Sequence, residues 1–157
     1  MLRYIALALA LILAVGICAA TGGFLSLNWL WILPVSFLGS LLGMALLLFL
    51  TAVIASAVVD TEKRQEKDNP FYRSLVYILA DTVVWILRIR VHTKGLEQLP
   101  KEGRFLLVCN HIHDLDPVVL LAFFKKSQLA FISKRENTTM FLVGKLMHKF
   151  MCQLINR

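Results

Sequence analysis

The chain has 157 residues, 58% of them hydrophobic, with a mean hydropathy of +0.70 and a formal net charge of +7. That length holds one modest domain, and the apolar excess over what a soluble core of this size requires must sit in lipid. The cations are not interleaved with aromatic residues and no groove-reading motif is present, so nucleic acid is not the expected partner of the positive charge.

Charge is segregated along the chain. Residues 1–60 contain only Arg3 and Asp60, whereas residues 101–157 carry nine Lys/Arg against four Asp/Glu. A basic domain tethered to a membrane favours anionic headgroups or phosphorylated substrates. Cys18, Cys109 and Cys152 lack metal-ligand spacing and lie outside any catalytic cysteine signature, so they read as reduced, mostly buried thiols.

The first predicted element is residues 4–20, 17 uncharged residues. As a helix they reach about 26 Å, and with the uncharged residues 21–28 they suffice for a hydrocarbon layer roughly 30 Å thick. Arg3 and the small Cys18-Ala19-Ala20 end resemble a signal peptide. A second apolar run follows almost at once, so cleavage would still leave an anchored chain and an uncleaved span is expected.

The second run, residues 29–59, exceeds one perpendicular span, and Pro34 offers a helix start that leaves residues 35–58 to cross. Trp29 and Trp31 suit the headgroup level. Lys63, Arg64 and Lys67 follow the exit from this span, while the 21–28 connection has no charge, so both termini are expected in the cytoplasm. The first unit, residues 1–60, is thus a two-helix transmembrane hairpin. The protein is expected to be integral to the cell membrane, its polar part on the cytoplasmic face.

Residues 61–89 form a charged linker and an amphipathic helix over 72–89. Ser74, Asp81 and Arg88 recur every seven residues among Leu, Val, Ile, Tyr and Trp. A stripe this narrow fits a helix in the membrane interface and equally a core helix beneath a domain.

From residue 90 the pattern alternates. Residues 90–93, 105–108 and 129–133 and Gln153–Ile155 predict strands; residues 117–124 and 140–150 predict helices. The alternation implies an α/β sheet over residues 90–157.

Chemistry concentrates in Asn110-His111-Ile112-His113-Asp114-Leu115-Asp116-Pro117. His111 has the chemistry of a general base, and Asp116 can orient it and stabilise the imidazolium once the chain loops back. The competing role for Asp116 is a helix N-cap with Pro117 at the first helical position. His111, His113 and the nearby carboxylates also suggest a zinc hydrolase. A His-x-His-x-Asp-His motif would need Asp at 115 and His at 116, where this chain has Leu115 and Asp116, so no metal is expected.

The Asn110-His111 and Asp116-Pro117 pairs, behind an apolar strand, resemble the first motif of the glycerolipid acyltransferases, the 1-acylglycerol-3-phosphate acyltransferase family. Lys134 and Glu136 hold the spacing of its Lys-x-Glu element; Gly144 falls where its glycine does, and Arg157 stands at its closing arginine. His113 replaces a frequent serine, Phe141 a frequent proline, Asn137 a frequent leucine and Met151 a frequent glycine. The resemblance implies an α/β fold: an N-terminal transmembrane hairpin followed by the N-terminal part of an acyltransferase domain.

By that resemblance His111 deprotonates the hydroxyl of a lysophospholipid acceptor, which attacks the thioester of acyl-CoA or acyl carrier protein, and Asp116 holds the imidazole. No cofactor is implied. Lys134, Arg135 and Arg157 are the candidate substrate-binding cations, and Lys125 and Lys126 are further candidates for attracting phosphate. The family's third block, Phe-Pro-Glu-Gly-Thr-Arg, would lie beyond Arg157. A truncated, non-catalytic membrane protein is therefore the alternative.

Overall fold

The computed structural model describes residues 2–61, 63, 67–100, 103–110 and 112–155. Helix α1 (Leu2–Ala20) and helix α2 (Trp29–Ala57) form a hairpin, turned through Gly22 at φ 66° and a 3-10 turn at Gly23–Leu25. Ala10, Ala14 and Cys18, spaced by four on α1, are fully buried, while Leu9, Ile12, Leu13 and Ile17 face outward. Small residues let two helix backbones approach closely where lipid supplies no hydrophobic drive. Gly23 meets the same need at the turn: a Cβ there would lie 2.9 Å from Cys18 Sγ and 3.1 Å from Ile32 Cδ1. Both helices are long and apolar enough to cross a membrane.

Helix α2 begins at Trp29, five residues before the Pro34 start expected from sequence. The Trp31 and Ile32 amides already donate to the Asn28 carbonyl at 3.0 Å, so a helical turn exists ahead of the proline. Pro34 then lies inside the second turn, where it lacks the amide that would donate to the Leu30 carbonyl. At 29 residues α2 is about 43 Å long. Its outer flank is apolar and exposed through Leu50, whereas Ala52, Ala55 and Ser56 are buried. The final turns of the second anchor helix therefore belong to the core of the following unit.

That core joins Ala52 and Ala55 to Leu75, Val76 and Ala80 of α3 (Pro70–Ile86), Leu121 of α4 (Asp116–Phe123) and Leu146 of α5 (Val143–Lys149), with Phe150 and Cys152. Burying each such leucine contributes about 2 kcal/mol. Asn69 caps α3, its side chain accepting from the Phe71 and Tyr72 amides at 3.0 and 3.4 Å, with Pro70 opening the helix. Of the two readings for this helix, core packing describes the stretch from Tyr72 to Ala80, and the Tyr72 hydroxyl donates to the Ala55 carbonyl at 3.0 Å. Trp85, Ile86 and Leu87 at its far end are exposed.

Arg73 is the hub of this unit, only 6% exposed. Its Nε pairs with Asp68, Nη1 donates to the Leu129 carbonyl at 2.9 Å and to the Tyr77 hydroxyl at 3.3 Å, and Nη2 donates to the Phe150 carbonyl at 3.1 Å. Burial works against its charge, but the bonds to Asp68 and Tyr77 outweigh it and raise the guanidinium above its ordinary range.

The expected α/β sheet is replaced by a mostly helical fold with a small sheet. Among the described residues one parallel pair forms, β1 (Ile132–Lys134) with β2 (Gln153–Ile155), in the register Ile132 to Gln153 and Lys134 to Ile155. Helix α5 makes the crossover. Residues 90–93 and 105–108 join no ladder. A strand is defined by its ladder partner, and without one the alternation leaves Leu106 and Val108 each 80% exposed. The last short strand stands where the sequence placed it; the third starts three residues later than expected, shortening to Ile132–Lys134, and helix 140–150 shortens to α5.

Candidate active site

The extended residues 104–110 deliver the chain to a turn that ends at α4. His111 lies outside the described residues, as does Arg157. Asp116 is the first residue of α4 and Pro117 the second; Leu115 stands at the N-cap position without a side-chain cap. The Asp116 carboxylate is thus not capping its own helix. It turns back along the chain, where Oδ2 accepts the amides of Ile112 and His113, both at 2.9 Å.

These contacts bring Asp116 to the peptide that joins residue 112 to position 111. Hydrogen bonds from backbone amides to an ionised carboxylate are among the stronger kinds. A carboxylate in the first helical turn is also favoured by the helix dipole. The turn is closed further by the Asp116 amide, which donates to the His113 carbonyl at 2.9 Å, and by the Leu115 amide, which donates to His113 Nδ1 at 3.1 Å.

Lys134 ends β1 and Arg135 opens a 3-10 turn through Thr139; both are exposed. They stand at the carboxyl end of the parallel pair, the edge where open sheets of this kind receive ligands. Among the described residues no hydrogen bond or ion pair joins either cation to the 112–116 turn. Lys125 is occupied elsewhere, its ammonium pairing with Asp81 of α3 and its carbonyl accepting from Tyr77 Oη at 3.2 Å.

The turn at 135–139 is seated on α5 through Gly144. A Cβ at Gly144 would lie 2.3 Å from the Thr138 oxygen and 2.7 Å from the Asn137 oxygen, so only glycine lets the backbones meet. Asn137, which stands in place of a leucine, donates from Nδ2 to Ser133 Oγ at 2.9 Å and ties the turn to β1. Met151, in place of a glycine, holds φ 69°, the left-handed region that glycine occupies without strain.

Burial pushes the Cys152 thiol up to about 11, with a bond at Phe131 and the charge of Arg73 acting the other way. It is a protonated core thiol rather than a nucleophile. Sequence reasoning missed Arg73 and the Asp81–Lys125 pair. The signal for Arg73 was available, since it lies off the Ser74, Asp81 and Arg88 stripe on the apolar part of the helix.

Residues 89–157 match the family model described as Acyltransferase. The match covers the same stretch as, and is consistent with, the glycerolipid acyltransferase resemblance of residues 110–117 and 134–157. The match supports a transferase of acyl groups in general. No curated protein and no solved structure matches the chain.

Proposed function

We propose that the protein is a membrane-bound 1-acylglycerol-3-phosphate acyltransferase that forms phosphatidic acid for phospholipid synthesis, using acyl-CoA or acyl carrier protein as donor. The observation that carries the reading is the Asp116 carboxylate folded back onto the Ile112 and His113 amides. It sets a fixed anion beside the peptide of the histidine assigned as base.

In the proposed reaction His111 takes the acceptor hydroxyl proton as the oxygen attacks the thioester carbonyl carbon. The tetrahedral intermediate collapses, the C–S bond breaks, and the imidazolium returns its proton to the departing thiolate. Asp116 orients the ring and stabilises its charged form. No acyl-enzyme is needed, because holding both substrates in one site supplies proximity. Lys134, Arg135 and Arg157 attract the acceptor's phosphate. The two apolar helices, placed across the cell membrane with the domain on the cytoplasmic side, keep the site beside an acceptor that resides in the bilayer.

The test is acyl transfer to lysophosphatidic acid by the chain reconstituted in vesicles, with each donor in turn. His111→Ala is expected to lower turnover by at least about 100-fold, the usual worth of a general base, with membrane insertion intact. Full turnover in that variant would refute the mechanism. No turnover by the parent chain with either donor would favour the non-catalytic alternative.

A further inference from the structure

We infer that His113 is a positioning residue that holds the 112–116 turn in its working shape only while its imidazole is neutral. The inference rests on the acyltransferase reading for its kinetic consequence and on the hydrogen bonds alone for its structural one.

Three hydrogen bonds meet on this residue. Its amide donates to Asp116 Oδ2 at 2.9 Å, its carbonyl accepts from the Asp116 amide at 2.9 Å, and its Nδ1 accepts from the Leu115 amide at 3.1 Å. The first two are backbone bonds that any residue could make. The third depends on the side chain, because an amide two residues ahead needs an acceptor at that point. Short polar side chains close turns in this way, and the imidazole does so here through Nδ1.

An imidazole accepts at Nδ1 only in the neutral form with its proton on Nε2; the imidazolium carries N–H at both nitrogens and accepts nowhere. Protonation therefore sets a donor against the Leu115 donor and opens the turn. The Asp116 carboxylate, which depends on the same turn to meet the Ile112 and His113 amides, loses its fixed position on the turn. The charged groups on its own turn are Asp114, next along the chain, and Asp116, which the His113 amide meets. Among the described residues no ion pair or hydrogen bond from another element reaches the imidazole.

Two titrations then govern the acid limb of activity. His111 must be neutral to act as a base, and His113 must be neutral to keep Asp116 in place. Imidazoles as a class change charge between about pH 5 and 8.

The experiment compares the reconstituted parent chain with His113→Asn and His113→Leu over pH 5 to 8.5. Asparagine offers Oδ1 where histidine offers Nδ1 and does not titrate; leucine offers no acceptor. Between pH 8 and pH 5 the parent is expected to lose about 3- to 10-fold more of its kcat/KM than His113→Asn does, the worth of the one hydrogen bond that protonation removes. At pH 8 the asparagine variant should recover most of the activity. His113→Leu should lose about 3- to 10-fold in kcat with little change in KM, the worth of one neutral hydrogen bond.

A second readout does not need turnover. The exchange protection factor of the Leu115 amide should fall with pH in the parent and stay level in His113→Asn. An equal acid loss in the parent and His113→Asn, full kcat in His113→Leu at pH 8, or a level Leu115 protection factor in the parent would each overturn the inference. Absence of turnover in every version, with protection that still falls with pH in the parent alone, would refute the acyltransferase reading and uphold the hydrogen bond.

Discussion

Removing the Arg73 guanidinium is expected to cost more stability than any other single polar change in the structure. The guanidinium holds the Asp68 carboxylate, whose Oδ1 is buried without a hydrogen-bond partner among the described residues, and it satisfies the Leu129 and Phe150 carbonyls at 2.9 and 3.1 Å. Those contacts gather the start of α3, the approach to β1 and the end of α5. Arg73→Met keeps much of the stem and removes the donors. Breaking a buried ion pair by deleting one partner costs about 3–5 kcal/mol. Against a total stability of about 5–15 kcal/mol for a domain, that is a large share.

The guanidinium lies above its ordinary range in the folded state. For a base with a raised value the contribution is complete below the unfolded value and lost only as pH rises through the folded one. The effect should therefore be constant from pH 6 to 9. Chemical denaturation of the chain in micelles, followed by tryptophan fluorescence, reads the loss. Asp68→Asn should destabilise the parent and have much less effect in the Arg73→Met background, because the partner is already gone. Arg73→Met within about 0.5 kcal/mol of the parent, the range of an ordinary surface change, would refute the reasoning.

Gly144→Ala drives a Cβ into the Thr138 and Asn137 backbone and should cost about 1–3 kcal/mol as overpacking; Gly39→Ala, with nothing within 4 Å of the added carbon, is the control expected to be silent. Because the turn displaced by Gly144→Ala carries Arg135, KM for the phosphorylated acceptor should rise more than kcat falls, as steady-state kinetics on vesicles will show. Met151→Gly relieves a left-handed φ and should be about 1 kcal/mol more stable than Met151→Ala, read from paired denaturation curves.

Legibility followed the range of the forces involved. The two apolar helices were readable because lipid sets one requirement, length without charge, that a local run of sequence meets or fails. Helix α4 and the strand at Gln153–Ile155 were readable for a similar reason, each being bounded by strong local signals. Residues 90–93 and 105–108 were misread because alternation shows that a segment can be a strand, whereas a strand exists only with a partner that the segment does not encode. In the site, a carboxylate at 116 folding back along its own turn followed from a turn that enters a helix, whereas its expected partner His111 lies outside the described residues. The choice of the Ile112 and His113 amides did not follow, because Asp116 turned out to be inside the helix rather than before it. The bond from Leu115 to His113 was hidden because two histidines so close in sequence draw attention to metals rather than to turn closure.

The unbroken path of α2, from exposed apolar flank to buried Ala52 and Ala55, gives the protein a mechanical property. In a bilayer this helix is a lever with no joint between its lipid arm and its domain arm. A span of about 43 Å against a hydrocarbon layer of roughly 30 Å must lean or protrude, and how far depends on local thickness. Whatever angle the lipid imposes is delivered undiminished to the unit that α2 helps to build. Under the proposed membrane placement, bilayer thickness thereby becomes a control variable for the tilt of the unit that α2 helps to build.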